Sequence, residues 1–153
     1  MPAVPLIGLS IQHTRSDLLR AVLEGVAYNL RIILDVLIAQ GASISTVRVI
    51  GGAAQGRLWN RILADVYNLP IYRLKLAEEA TSMGAAFAGG IAVGLNSGWE
   101  MALQKNSVAE TFEPDNSHSE IYKRRIRMFD QAYMALEPIS AQLADLAAGH
   151  YAR

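Results

Sequence analysis

The chain has 153 residues, 52% of them hydrophobic and 18% charged, which is the profile of one soluble globular domain large enough to bury a core. Lys plus Arg number 14 and Asp plus Glu number 14, so no net field draws the chain to nucleic acid or to an anionic membrane. Cysteine is absent, which excludes disulfides and thiolate metal sites, and the opening Met1-Pro2-Ala3-Val4-Pro5 lacks the basic region and long apolar run of a secretory signal, making the cytoplasm the expected compartment.

In chain order, Thr14 with Asp17 three residues on resembles a capping box with Asp in place of Glu. Behind it, Leu19, Val22, Leu23, Val26, Leu30, Ile33, Leu34 and Leu37 fall at helical spacing, and Gly41 ends the predicted helix. Thr46 to Ile50 is short and β-branched, the composition of a buried strand, and it stops at Gly51-Gly52. The period then returns to helical through Leu58, Trp59, Ile62, Leu63, Val66 and Tyr67, with Asn68 ahead of Pro70 closing the helix. A second strand is predicted over Ile71 to Leu74.

Ala80 to Trp99 carries no charge, but five glycines (Gly84, Gly89, Gly90, Gly94, Gly98) dilute its hydrophobicity, and a membrane span needs roughly 20 predominantly apolar residues. It reads instead as a helix over Ala80 to Val93, whose small face calls for a closely packed neighbour, followed by a breaker at Gly94 to Gly98. Glu100 to Gln104 predicts a further helical turn, and Phe112-Glu113-Pro114-Asp115 a loop or short edge strand. A last helix is expected from near Ser119 to about Glu137, with Ile121, Tyr122, Ile126, Phe129, Tyr133 and Leu136 inward, broken or kinked by Pro138. With no repeat or linker, one domain over 1–153 is the economical reading.

A strand ending in two glycines at a helix start lets a ligand approach the backbone without meeting a Cβ. The helix expected from Gln55 or Gly56 adds free N–H groups and a positive end of about half an elementary charge. Taken alone, Gly51-Gly52 serves a tight turn equally well. There is no Gly-Lys-Ser/Thr sequence, and Gly51, Gly52 and Gly56 lack the dinucleotide spacing, so the feature suits a nucleoside better than a wrapped triphosphate. His13, His118 and His150 have no metal-ligand spacing. Asp17, Glu24, Asp35 and Asp65 read as solvated helix faces or salt bridges, and Lys123, Arg124, Arg125 and Arg127 as a solvated face paired with Glu120.

Four motifs together carry a resemblance: Arg20-Ala21-Val22-Leu23-Glu24-Gly25-Val26-Ala27-Tyr28-Asn29-Leu30-Arg31, then Ile50-Gly51-Gly52-Ala53, then Leu58-Trp59-Asn60-Arg61-Ile62-Leu63-Ala64-Asp65-Val66, then Glu79-Ala80-Thr81-Ser82-Met83-Gly84-Ala85-Ala86. They resemble the C-terminal domain of FGGY carbohydrate kinases, the xylulokinase branch most, from about Ser10 onward. The resemblance implies an α/β fold: part of an actin-like, ribonuclease-H-like ATPase domain, rich in helix with few strands. It further implies that Gly51, Gly52 and Ala53 line the adenosine of ATP. Some relatives carry asparagine at the position of Gly56, whose hydrogen bond to adenine would here fall to Gln55 or Arg57. Glu24 and Asn29 read as structural.

In this family the Asp-Gly-Thr phosphate loop and the catalytic Asp come from sequence outside these 153 residues. Phosphoryl transfer needs both a positioned nucleophile and metal-held phosphates. The expectation is therefore an ATP/ADP-binding portion without catalysis of its own, with Mg2+ bound only in the complete enzyme and the N-terminal kinase domain supplied from elsewhere. D-xylulose is the expected acceptor, and gluconate or glycerol the alternative. A different class stays open: a non-catalytic helical module whose uncovered faces make a homo-oligomer.

Overall fold

The computed structural model describes residues 6–98 and 105–150, with side chains through residue 146. Helix α1 spans Arg15–Ala39 and opens with the anticipated capping box, the Thr14 side chain accepting from the Asp17 N–H and the Asp17 carboxylate accepting from the Thr14 N–H. Strand β1, Val47–Val49, leads through a short 3-10 turn, Gly52–Gln55, into α2, Arg57–Tyr67. Asn68 closes α2 in the left-handed region at φ 52°, as the Asn-x-Pro spacing predicts. The Arg31 guanidinium of α1 donates to the carbonyls of Val66 and Tyr67, placing a cation at the negative end of that helix.

Strand β2, Ile71–Leu74, pairs parallel with β1, Val47 opposite Ile71. Strand β3, Val108–Phe112, pairs antiparallel with β2, Ile71 opposite Phe112. The described sheet thus has the order β1-β2-β3. Its third strand is longer than the sequence suggests; the pattern marks only its end at Phe112, because Val108 to Thr111 are exposed or half-buried and carry no clean alternation.

Helix α2 fills the centre. Ile62, Leu63, Ala64, Val66 and Tyr67 are buried between α1, the sheet and the last helix, and burial pushes the Tyr67 hydroxyl up to about 12. That last helix, α4, runs Asn116–His150, starting three residues before the expected Ser119 and passing through Pro138 without ending. Its start is set by Asp115, whose carboxylate accepts from the N–H groups of Ser117 and His118. A proline costs a helix one backbone bond, and 35 residues of helix carry that loss. Tyr122 and Phe129 of α4 meet Tyr28 of α1 edge-on at ring-centroid distances of 6.0 and 5.5 Å.

Helix α3, Ala80–Ala92, buries none of its residues. The close neighbour expected for its small face is absent among the described residues: a Cβ added at Gly84 or Gly89 meets nothing within 4 Å. Glu100 to Gln104, the predicted extra turn, lies outside the described residues.

Candidate nucleotide-binding turn

The turn after β1 is built on one conformational requirement. Gly51 has φ 81°, a region that costs a residue with a Cβ, and its N–H donates to the Ala77 carbonyl at 2.7 Å. Ala77 is buried in the loop that leaves β2, so this bond ties together the exits of the two parallel strands. Ligands of open parallel sheets lie outside the carboxyl ends of the strands, and the turn stands there.

Beyond it, the Ala54 N–H donates to Gly51 and the Gly56 N–H to Ala53 at 3.0 and 3.1 Å, closing the 3-10 turn. The expected helix start at Gln55 or Gly56 is displaced: Gly56 sits extended at φ −75°, ψ 105°, and the α-helix begins one residue later. Gly51-Gly52 therefore stands on the 3-10 turn and away from the end of α2. Asn60, fully buried, holds this arrangement from below, donating from Nδ2 to the Ala54 carbonyl at 2.7 Å. Its Oδ1 finds no partner among the described residues. Sequence reasoning passes over Asn60; the available signal is a polar residue on the buried face of an apolar helix.

Of the five residues singled out, Gly52, Ala53, Gln55 and Gly56 are exposed and Gly51 half-buried. A Cβ added at Gly52 meets nothing within 4 Å and its φ is not positive, whereas one at Gly56 comes within 3.4 Å of the Ala53 carbonyl and of Trp59 Cβ. Neither folding nor packing requires glycine at 52; open approach to its backbone is what glycine provides there. Gln55 Nε2 donates to Glu78 at 3.4 Å, and Arg57 pairs with Glu110 at 2.9 Å, so both candidates for an adenine hydrogen bond have acidic neighbours. Trp59 packs on the core.

The other polar residues of interest lie apart from the turn. Glu24 is buried against α4, and Asn29 is exposed. Asp65, read as a solvated-face or salt-bridge carboxylate, is 1% exposed and paired, its carboxylate accepting from the Asp115 N–H at 2.9 Å and from His118 Nδ1 at 3.0 Å. No group of three or more metal-binding side chains converges among the described residues, and none of their helices is long and apolar enough to cross a membrane. Chemically, the turn offers a neutral, uncluttered backbone surface suited to a flat uncharged group.

Comparison with known proteins adds four findings. The sequence profile of the FGGY family of carbohydrate kinases, C-terminal domain, matches residues 2–93. A xylulose kinase from Staphylococcus epidermidis is 34% identical over 138 residues, which is 90% of this chain and 28% of that enzyme. Among solved structures, xylulose kinase from Rhodospirillum rubrum superposes with a TM-score of 0.72 at 34% identity, over 88% of this chain and 27% of that one. Plasmodium falciparum glycerol kinase, solved with ADP, superposes with a TM-score of 0.66 at 25% identity, over 84% and 26%. The chain thus spans little more than a quarter of the length of the relatives it matches.

Proposed function

The chain belongs to the FGGY family of carbohydrate kinases, matching that family's C-terminal domain, and on that premise we propose that it is the adenosine-binding side of an ATP-dependent sugar kinase. Its helix-rich fold with a small mixed sheet is that of these actin-like ATPases. Our reading takes residues 1–153 as one domain of a cytoplasmic enzyme that transfers the γ-phosphoryl group of ATP to a hydroxyl of D-xylulose, forming xylulose 5-phosphate. The xylulose kinases among its relatives support that acceptor; glycerol is the alternative that the Plasmodium enzyme favours.

The observation carrying the nucleotide assignment is the glycine pair, Gly51 half-buried and Gly52 exposed. Gly51 turns the chain at positive φ, Gly52 presents a face on which an added Cβ meets no atom of the described residues within 4 Å, and Ala53, Gln55 and Gly56 continue the same surface. Adenosine would lie within van der Waals contact of this backbone, held without charge. The bond from Gly51 to Ala77 and the one from Asn60 to Ala54 keep the surface rigid before a ligand arrives. Mg2+ and the triphosphate would be gripped by the rest of the enzyme, where the metal neutralises charge on the transferring phosphoryl group. Correct positioning of reactants is worth about 7–11 kcal/mol of a barrier, so this 153-residue polypeptide alone turns over no sugar and needs the N-terminal kinase domain, in the same or another polypeptide.

Calorimetric titration with ADP and Mg2+, beside a coupled assay for D-xylulose phosphorylation, tests the proposal. The unaltered chain binds saturably without turnover, and Gly52→Val binds at least about tenfold more weakly with an unchanged circular dichroism spectrum. Equal binding by Gly52→Val sinks the adenosine assignment.

A further inference from the structure

A second site lies away from the glycine turn and shares no residue with it. The segment Leu6 to His13, the first turns of α1 and the start of α4 line an open cavity of about 480 Å³, within the usual range for small-molecule sites. Leu6, Leu9, Leu18 and Ile121 form an apolar wall; Arg20, Glu24, Tyr122 and Arg125 form a polar one.

The formal charges lining the cavity balance, Arg20 and Arg125 against Glu24 and Asp17, but the hydrogen-bond donors of the polar wall outnumber the acceptors that meet them. Glu24 is the buried hub: Oε1 accepts from Arg20 Nε at 2.8 Å and from the Tyr122 hydroxyl at 2.7 Å, and Oε2 accepts from Arg125 Nη1 at 3.3 Å. One carboxylate thus faces two guanidinium groups. Arg20 uses a further nitrogen on the Tyr122 hydroxyl, but each guanidinium has five N–H donors, and both side chains are about half exposed, at 48% and 54%. Donors therefore remain for a second acceptor. Asp17, the other carboxylate on the cavity, accepts the N–H and hydroxyl of Thr14 at Oδ2 and keeps its negative charge outside the Glu24 cluster. His13 accepts the Ser10 N–H at Nδ1, so its neutral ring carries the proton on Nε2 as another donor. His118 is anchored through Nδ1 to Asp65.

We propose that this cavity binds a small organic anion, its charged end held by Arg20 and Arg125 and its short carbon body by Leu6, Leu9, Leu18 and Ile121. Fork-shaped guanidinium groups match carboxylate and phosphate oxygens alike, so a carboxylate and a phosphate monoester are the two sources of this chemistry.

The test uses the 153-residue chain with n-butyl phosphate, butyrate and n-butanol as probes, followed by amide and Arg Nε chemical shifts. One or both anions shift Ala21, Tyr122 and the Arg125 Nε signal saturably, which also identifies the preferred head group, while butanol does not. Arg125→Gln weakens the anion about tenfold, the loss of one charged hydrogen-bonding partner. Ala21→Leu abolishes binding by adding bulk inside the cavity without removing a charge. Absence of saturable shifts, equal binding of butanol, undiminished binding by both variants, or shifts confined to Gly51 to Gly56 overturns the proposal.

Discussion

Glu24 is a charged residue that joins α1 to α4. It accepts from Arg20 on its own helix and from Tyr122 and Arg125 on α4. Burial, and next the Glu24 charge, push the Tyr28 hydroxyl strongly upward, so it stays a protonated donor beside the carboxylate. Replacing Glu24 with Gln removes the charge and leaves two guanidinium groups facing a neutral amide. Because both arginines are half exposed, water compensates part of the loss, and we expect destabilisation of about 2 kcal/mol, read from the urea midpoint. A change below measurement error would mean that the cluster is incidental to the fold. Its helical position and lack of a catalytic partner let the sequence identify Glu24 as structural. Its partners were not legible there, because they lie 98 and 101 residues away along the chain. For the same reason Arg125 reads in sequence as part of a solvated basic face, although only Lys123 of that cluster pairs with Glu120.

Among the elements, helix starts were the most readable feature where a side chain announces them. Thr14 and Asp17 open α1 as their spacing predicts. At α4 the equivalent signal, Asp115 two residues before Ser117, gives way in a reading by apolar period to Ser119, and the helix is entered late. Hydrogen bonds led by the Thr14 N–H hold the Asp17 carboxyl below its usual range, and those led by the Ser117 hydroxyl do the same for Asp115. A carboxylate depressed in the folded state contributes stability in full above its unfolded pKa of about 3.9, and that contribution is lost as pH falls through the lower folded value. Stability should therefore drop on acidification below about pH 4. The pair Asp17→Asn with Asp115→Asn, which keeps side-chain oxygens for capping, should flatten that part of the profile in urea unfolding at a series of pH values. An unaltered slope would assign the acid sensitivity to other carboxylates.

At the scale of the whole molecule, α1 has two apolar faces. Leu23, Ala27, Tyr28 and Leu34 turn toward α2 and α4, whereas Leu19, Val22, Val26, Leu30, Ile33 and Leu37, which belong to the same helical pattern, are exposed. A contiguous exposed apolar face tends to find a partner, and we expect the isolated chain to self-associate with rising concentration. Val26→Lys combined with Ile33→Glu should make it monomeric in sedimentation velocity; an unaltered chain that stays monomeric throughout the series removes this expectation. Local chemistry was enough for the sequence to determine the helices at α1, α2 and α3, the first two strands, the left-handed stop at Asn68 and the glycine pair that locates the candidate site, since caps, period and turn residues act within a few positions. Only the tertiary structure decided which apolar face of α1 is covered, that Gly84 and Gly89 of α3 meet no close neighbour among the described residues, that Asp65 is buried, and that Asn60 supports the turn. Each of these depends on which distant surfaces meet, and periodicity records that a face is apolar without recording what covers it.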